Sequence, residues 1–220
     1  MSRPHITLKL ATSLDGRIAT GAGESRWITG PEARAEVHRL RGEAGAVLIG
    51  SGTALTDDPE LTVRVGPAPA RQPLRIVLDS RLRLPVRSKL IATLDIAPLL
   101  VIGAMGADPA AKAALESAGA EVALASGAPG AVTLAGAMAV LERRSVARIL
   151  VEGGGRLAAS FVKDGLIDRL EWMRAPLILG AEGRPAIDSL ALSRLSAAPA
   201  FRRLAVRELG ADLWETYERA

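Results

Sequence analysis

The chain has 220 residues, 49% of them hydrophobic, which is enough for one sizeable core in a single domain over residues 1–220 and excludes general disorder. No apolar run reaches the about 18 residues that a membrane-spanning helix needs, and the lack of cysteine excludes a disulfide, an iron–sulfur cluster and a thiol nucleophile. The formal net charge is +4, with arginines spread along the chain, which argues against a nucleic-acid-binding stripe and allows anionic small-molecule ligands.

The N-terminal segment shows neither a targeting signal nor a metal motif. Residues 1–10, MSRPHITLKL, lack the apolar region that precedes the cleavage site of a secretory signal, so we expect a cytoplasmic location. The two histidines, His5 and His38, are too far apart in sequence for a recognisable metal-ligand motif, so we expect no metal site.

Alternating apolar residues predict a first strand over His5–Ala11. Lys9 lies on the less apolar face of this strand, and it must reach a cleft or a partner if the strand is central. Asp15 and the glycine after it favour a turn. The glycine-rich run 19–26 then predicts a mobile loop, which Trp27 closes.

Strands and helices alternate through the middle of the chain. A helix is predicted from Thr29 to Gly45, and further helices start near Ser51, Asp108 and Thr133. The short apolar runs that predict strands lie at 46–50, 74–78, 99–102, 121–124 and 149–151. This alternation predicts an α/β protein with a largely parallel sheet, right-handed crossovers and helices on both faces.

After Gly165 the pattern changes to strands without long helices between them. The predicted strands are 169–174, 201–209 and 213–217, which fit antiparallel strands at the edge of a parallel sheet. Large apolar residues are frequent here, and a lone domain would expose some of them, so we expect a homodimer built partly from this region. These residues are Trp172, Met173, Phe201, Leu204, Val206, Leu213, Trp214 and Tyr217.

The stretch from Ala147 to Gly165 joins a strand, a glycine turn and a helix. Glu152 ends the strand, and the three glycines 153–155 come before the helix. Glycines let a backbone approach a ligand closely and adopt positive φ, and a helix N-terminus attracts anions. The alternative is an ordinary tight turn, but a carboxylate at the end of a strand lies where open α/β sheets bind their ligands.

Five motifs occur in order along nearly the whole chain. They are Lys9–Ala19 (KLATSLDGRIA), Gly23–Thr29 (GESRWIT), Gly50–Arg64 (GSGTALTDDPELTVR), Arg75–Ser80 (RIVLDS) and Val151–Gly154 (VEGG). Together they resemble the reductase domain of bacterial riboflavin biosynthesis enzymes, and five ordered motifs are far more specific than one.

This resemblance implies a dihydrofolate-reductase-like fold, a homodimer and NADPH as cofactor. The implied substrate is 5-amino-6-(5-phosphoribosylamino)uracil, or its diaminopyrimidinone precursor, which is reduced at the sugar C1 to the ribitylamino product. Many relatives carry a zinc deaminase domain that needs cysteine ligands. Because this sequence has no cysteine, we expect a stand-alone reductase without that domain.

The resemblance also implies site residues. The substrate positions are Ser25, Arg41, Leu61, Arg64 and Glu152. The cofactor positions are Ala11, Trp27, Thr53, Asp57, Ser80, Gly154, Gly155, Arg156, Leu157, Ala158, Ala159 and Ser160. Several have a plainer alternative. Arg41 can be a solvated helix residue, Arg64 a soluble strand-edge residue and Glu152 an acid at a helix N-terminus. Trp27 can be a core aromatic, Thr53 a helix cap and Asp57 a cap for the segment at Pro59.

Two residues are candidates for catalysis. Lys9 would donate a proton or stabilise developing oxygen charge, and Asp15 would orient Lys9 or the mobile loop, unless it only makes the turn. The residues alone do not decide between NAD and NADP as cofactor. Asp79 is an acid at a strand end, which favours NAD, whereas Ser80 and Arg81 after it can hold the 2′-phosphate of NADP. A dihydrofolate or dihydropterin reductase and a non-catalytic nucleotide-binding module remain as alternative functions.

Overall fold

A computed structural model describes residues 3–66, 69–128 and 130–220. The chain divides into two compact units. The first contains His38–Leu150 and the N-terminal residues up to His5, and the second contains Ile6–Val37 and Val151–Ala220. A single domain over 1–220 stays a prediction.

The described chain alternates strands and helices as predicted. The strands are β1 (His5–Thr12), β2 (Arg17–Ala19), β3 (Ala46–Gly50), β4 (Leu74–Leu78), β5 (Leu99–Ala104), β6 (Glu121–Ala125), β7 (Arg148–Val151), β8 (Arg169–Arg174), β9 (Arg184–Pro185), β10 (Phe201–Leu209) and β11 (Asp212–Arg219). The helices are α1 (Pro31–Ala44), α2 (Ser51–Asp57), α3 (Lys89–Ala92), α4 (Pro109–Ser117), α5 (Leu134–Glu142) and α6 (Gly155–Lys163). This order confirms the α/β class.

Parallel strands form the first unit in the order β7-β3-β4-β5-β6. Leu48 of β3 is level with Ile76 of β4, which is level with Leu100 of β5. All three side chains are fully buried, as expected for parallel strands that are covered on both faces. The helices start where caps are predicted, because the Asp108 carboxylate accepts the Ala110 N–H at 2.9 Å and the Thr133 hydroxyl accepts the Gly136 N–H at 3.1 Å.

The second unit contains the antiparallel strands predicted for the C-terminal region. Its strands lie in the order β10-β11-β8-β1. β1 and β8 are parallel, whereas β11 is antiparallel to both β8 and β10. β2 and β9 form a separate small antiparallel sheet, which the sequence pattern does not predict.

Within residues 3–66, 69–128 and 130–220, no helix is long and apolar enough to cross a membrane. No group of three or more His, Asp or Glu residues in the same ranges could hold a metal ion.

Candidate active site

A polar cavity of about 310 Å³ lies at the carboxyl ends of β3 and β4 in the first unit. This is the edge at which α/β sheets bind ligands. Hydroxyl and guanidinium groups suit an anionic ligand, since guanidinium binds phosphate in a bidentate manner. The lining residues are Ser51, Asp79, Ser80, Arg81, Arg83 and Gly130.

Asp79 faces inward at this cavity, whereas the two arginines are exposed. The Asp79 side chain is 1% exposed, and its Oδ2 accepts the Leu84 N–H at 2.9 Å. Its Oδ1 lies 3.7 Å from the Nε of Arg83, whose Nη2 donates to the Ser51 hydroxyl at 3.1 Å. Because this acid is buried and the two arginines are exposed, the surface offered to a ligand is cationic.

Three predicted cofactor residues also lie in the first unit. Ser80 accepts the Val132 N–H at 2.9 Å through its hydroxyl, which fixes its orientation. Thr53 and Asp57 lie on α2 and are both partly buried. The residue after them, Asp58, accepts the Lys89 N–H at 2.8 Å and so caps the start of α3.

The first unit brings three predicted substrate residues together around Thr62. Arg41 donates to the Thr62 carbonyl at 3.2 Å, so it is not merely a solvated helix residue. Arg64 donates through Nη1 to Glu60 at 2.9 Å and to the Thr62 hydroxyl at 3.0 Å. Leu61 is buried, and its backbone is in the left-handed region with φ of 57°. The segment around Thr62 therefore contacts two guanidinium groups, one from α1 and one from its own Arg64.

Lys9 and Ala11 lie on the same face of β1 in the second unit, and both are partly buried. The Cα partner of Lys9 on β8 is Glu171. Glu171 is 1% exposed and accepts hydrogen bonds from Trp214 Nε1 at 2.6 Å and the Thr216 hydroxyl at 2.7 Å. The lysine thus lies beside a buried, fixed carboxylate.

Asp15 ties the turn after β1 to a distant segment of the second unit. Its carboxylate accepts the Ser13 hydroxyl at 2.5 Å and the N–H groups of Leu179 at 3.1 Å and Gly180 at 2.8 Å. The hydrogen bond from Ser13, followed by those from the two backbone N–H groups, lowers the pKa of Asp15 to about 2. A carboxylate that is charged and held by three donors favours the orienting role over proton transfer.

Asp15→Asn should therefore destabilise the protein in a pH-dependent way. The folded state lowers the pKa of this carboxyl, so its contribution is present above the unfolded pKa of about 4 and is lost as the pH falls towards about 2. The difference in melting temperature between the parent and Asp15→Asn should be largest near neutral pH and shrink below pH about 4. Circular dichroism melts across this range measure it, and a constant difference would contradict the assignment.

Trp27 and Ser25 lie in the segment between β2 and α1. Trp27 is 69% exposed, with the Arg34 guanidinium carbon 4.6 Å from its ring centroid. The core-aromatic alternative for Trp27 is therefore wrong, and the ring offers a stacking surface. Ser25 is partly buried.

The glycine turn before α6 does not use positive φ. Gly154 has φ of −70° and ψ of 172°, and neither Gly153 nor Gly155 has positive φ. The expectation of positive φ is wrong because the turn enters the helix through an extended residue. A side chain at Gly155 would overlap the Pro185 carbonyl oxygen, and the Gly155 carbonyl accepts the Asp188 N–H at 3.0 Å. Close packing therefore requires Gly155 to be glycine.

The remaining predicted residues of this turn differ in exposure. Ala158 and Ala159 are buried in α6, whereas Arg156 and Ser160 are exposed. Glu152, Gly154 and Leu157 are partly buried. The exposed groups and the first turn of α6 are the part of this stretch that a ligand could meet.

Residues 4–214 match the family described as RibD C-terminal domain. The chain belongs to this family. The family resemblance on the five motifs is confirmed. A reductase family with this fold implies a nicotinamide cofactor, and the polar cavity beside Ser80 and Arg81 has hydroxyl and cationic groups that suit a nucleotide phosphate.

Two curated relatives illustrate the range of the RibD C-terminal domain family. The riboflavin biosynthesis protein RibD of Aquifex aeolicus is 39% identical over 99% of this chain and 58% of its own length. The 2,5-diamino-6-ribosylamino-4(3H)-pyrimidinone 5′-phosphate reductase of Methanothermobacter thermautotrophicus is 36% identical over 98% of both chains. The chain thus spans somewhat more than half of the RibD protein but nearly all of the archaeal reductase.

Solved structures confirm the fold. Acinetobacter baumannii RibD superposes with a TM-score of 0.86 at 29% identity, over 99% of this chain and 58% of that one. Enterococcus faecalis dihydrofolate reductase superposes with a TM-score of 0.54 at 16% identity, over 98% of this chain and 96% of that one. The dihydrofolate-reductase-like fold predicted from the sequence is correct.

Several polar residues near these sites are not predicted from the sequence. Arg83 and Ser51 line the cavity, and His38 accepts the Arg64 N–H through Nδ1 at 3.2 Å. A signal existed for Ser51, which lies between two glycines at a helix start, a pattern typical of anion-binding turns.

Proposed function

We propose that this protein is an NADPH-dependent reductase of riboflavin biosynthesis. Its substrate is 5-amino-6-(5-phosphoribosylamino)uracil or the diaminopyrimidinone precursor, and its product carries a ribityl chain. The match to an archaeal pyrimidinone phosphate reductase over 98% of both chains carries this proposal. The proposal includes the cytoplasmic location and the absence of a nucleic-acid partner expected from the sequence.

The reaction needs a hydride at C1 of the ribose and a proton on the departing ring oxygen. The bond between C1 and the ring oxygen breaks, and the open ribityl chain results. When bound, the reduced nicotinamide supplies the hydride. We assign Lys9 to the proton or to the developing oxygen charge, because it is a partly buried cation on a strand of the sheet.

We assign the substrate phosphate to the segment around Thr62, with Arg41 and Arg64 as its guanidinium ligands. Arg64 is exposed while its guanidinium is held by Glu60, so it is oriented and still accessible. Leu61, Ser25 and Glu152 are the other residues that the family resemblance assigns to the substrate. Glu152 is the one carboxylate in this set, and it would accept from the amino groups of the pyrimidine.

We assign the adenosine end of NADPH to the cavity beside β3 and β4. The Asp79 side chain is only 1% exposed, so it is a poor partner for a ribose hydroxyl. Arg81 and Arg83 are exposed at this cavity. Their guanidinium groups would bind a 2′-phosphate more strongly than a hydroxyl. The other proposed cofactor residues are Ala11, Trp27, Thr53, Asp57, Ser80 and the turn from Gly154 to Ser160.

Replacing both Arg81 and Arg83 with alanine should raise the KM for NADPH and leave that for NADH nearly unchanged. Each lost bond to a charged group is worth about 1.5–3 kcal/mol, which corresponds to roughly a ten- to hundredfold rise. Steady-state kinetics with each cofactor measure this. Arg87→Ala, an exposed arginine in the same unit, is the matched control. Equal losses for NADPH and NADH would show that this cavity does not discriminate the phosphate.

We propose a homodimer that pairs through β10. β10 is the edge strand of its unit, with Leu204 41% and Val206 44% exposed. In an antiparallel pair of two copies centred on Ala205, Leu204 would face Val206, and Arg202 would face Glu208. Met173 and Trp214, by contrast, are buried within their own unit and contribute to its core.

Light scattering at micromolar concentration should give twice the chain mass of 22.9 kDa. Val206→Lys should reduce it to the mass of one chain, because it replaces the apolar pair with a charge opposite Leu204 of the other copy. Val86→Lys, at a position that is 51% exposed in the other unit, should leave the dimer intact. A parent protein that scatters as a single chain would remove the dimer.

The proposed function is tested by mixing purified protein with NADPH and following the absorbance of the reduced nicotinamide. Oxidation with the phosphoribosylamino-pyrimidine, and none with dihydrofolate, is the expected result. Oxidation with dihydrofolate alone would support a folate or pterin reductase instead. Binding of NADPH without turnover of any candidate would support a non-catalytic nucleotide-binding module.

A further inference from the structure

Arg75 is a fully buried arginine in the otherwise apolar strand β4. Burying a cation is costly unless its hydrogen-bonding groups are satisfied. Its guanidinium donates to the Glu60 carbonyl at 3.1 Å and the Thr93 hydroxyl at 2.6 Å. Three further bonds go to the carbonyls of Thr93, Ala97 and Pro98.

These acceptors are neutral, so Arg75 is not simply half of an ion pair. Burial lowers the pKa of Arg75 to about 10, against the opposing charges of Glu60 and Asp95. The group therefore stays charged at neutral pH. Its five donated hydrogen bonds join two irregular segments of the chain, around residue 60 and over 93–98.

The segment that Arg75 reaches has an unusual backbone. Asp58 and Leu61 both have positive φ, at 41° and 57°, although neither is glycine. Such conformations persist only where the surroundings fix them. The bond from Arg75 to the Glu60 carbonyl lies directly before Leu61, and the Glu60 carboxylate in turn bonds Arg64.

We infer that Arg75 is a positioning residue for the substrate phosphate site: it fixes the main chain of Glu60 and thereby holds Leu61 and Arg64 in place. This inference rests on the proposed function, in which Arg64 binds the phosphate. Lysine cannot replace Arg75, because a single ammonium cannot reach acceptors on both segments in the planar arrangement of a guanidinium.

The test compares Arg75→Lys with Ile76→Val, a change in the same strand at an equally buried residue. Arg75→Lys should raise the KM for the phosphorylated pyrimidine by about tenfold, since small displacements of a binding group cost rate and affinity. The KM for NADPH should stay within about twofold of the parent value. Ile76→Val should leave both KM values at the parent level.

Hydrogen exchange supplies a second readout that needs no turnover. The Val63 N–H is bonded to Gln72 and the Arg64 N–H to His38, and both should exchange faster in Arg75→Lys but not in Ile76→Val. If the parent does not reduce the pyrimidine, the proposed function fails while this readout still decides whether Arg75 holds the segment.

If Arg75→Lys does not fold, Thr93→Val tests the same inference. It removes the hydroxyl that orients the Arg75 guanidinium and should produce smaller changes of the same kind. Parent-like KM and exchange in the folded variants would overturn the inference. Equal changes in Ile76→Val would also overturn it, because they would show a general loss of stability.

Discussion

Gly155→Ala should destabilise the protein by about 3 kcal/mol, the upper part of the range for overpacking. The added methyl group would overlap the Pro185 carbonyl oxygen. Backbone atoms of Ala186 and Asp188 would also lie close to the methyl group. A main-chain obstacle cannot turn aside as a side chain can. The helical preference of alanine over glycine, about 1 kcal/mol, offsets only part of this cost.

Chemical denaturation of the purified variants measures this loss. Gly52→Ala is the matched control, because Gly52 also lies in a helix and nothing within 4 Å would meet its added methyl group. That variant should be as stable as the parent or slightly more stable. Similar stabilities for Gly155→Ala and Gly52→Ala would show that Pro185 and the residues after it move aside freely.

Lys9→Met should lower kcat by roughly 10²–10⁴-fold, the usual contribution of a positioned proton donor. Methionine retains the length and apolar stem of lysine and removes its charge. Because Lys9 is only partly buried and its neighbour Glu171 accepts hydrogen bonds from Trp214 and Thr216, the variant should fold. NADPH binding should change little.

Single-turnover kinetics and a cofactor titration separate these effects for Lys9→Met. Lys163→Met, at the exposed end of α6, should have the parent kcat. A Lys9→Met enzyme that keeps its kcat would remove Lys9 from the chemistry. Loss of NADPH binding together with kcat would place Lys9 at the cofactor instead.

The longer strands could be predicted because buried strands have short runs of apolar residues in the local sequence. β3, β4 and β5 are short apolar runs between turn residues, and the caps at Asp108 and Thr133 mark helix starts. β2 and β9 could not be predicted, since they have three and two residues and form only by pairing with each other. Such short strands have no periodicity of their own.

Site residues within a local motif could be predicted from the sequence. Site residues that come together from distant parts of the chain could not. Ser80 and Arg81 follow a strand and indicate a cavity, whereas Arg83 and Ser51 are 32 residues apart and meet only in the fold. The same holds for Asp15, whose partner Gly180 lies 165 residues away. The positive φ expected in the glycine turn is wrong, because close packing against Pro185 is what requires glycine at position 155.

Isotope transfer tests the proposed reductase activity most directly. The protein would be incubated with NADPH in which both hydrogens at the reactive carbon of the nicotinamide are replaced by deuterium. One sample would contain 5-amino-6-(5-phosphoribosylamino)uracil and a parallel sample its diaminopyrimidinone precursor. One deuterium at C1 of the ribityl chain, in amounts that match the NADPH oxidised, is the result we predict. Oxidation of NADPH without deuterium in the pyrimidine product, or no oxidation with either pyrimidine, would contradict hydride transfer to the sugar.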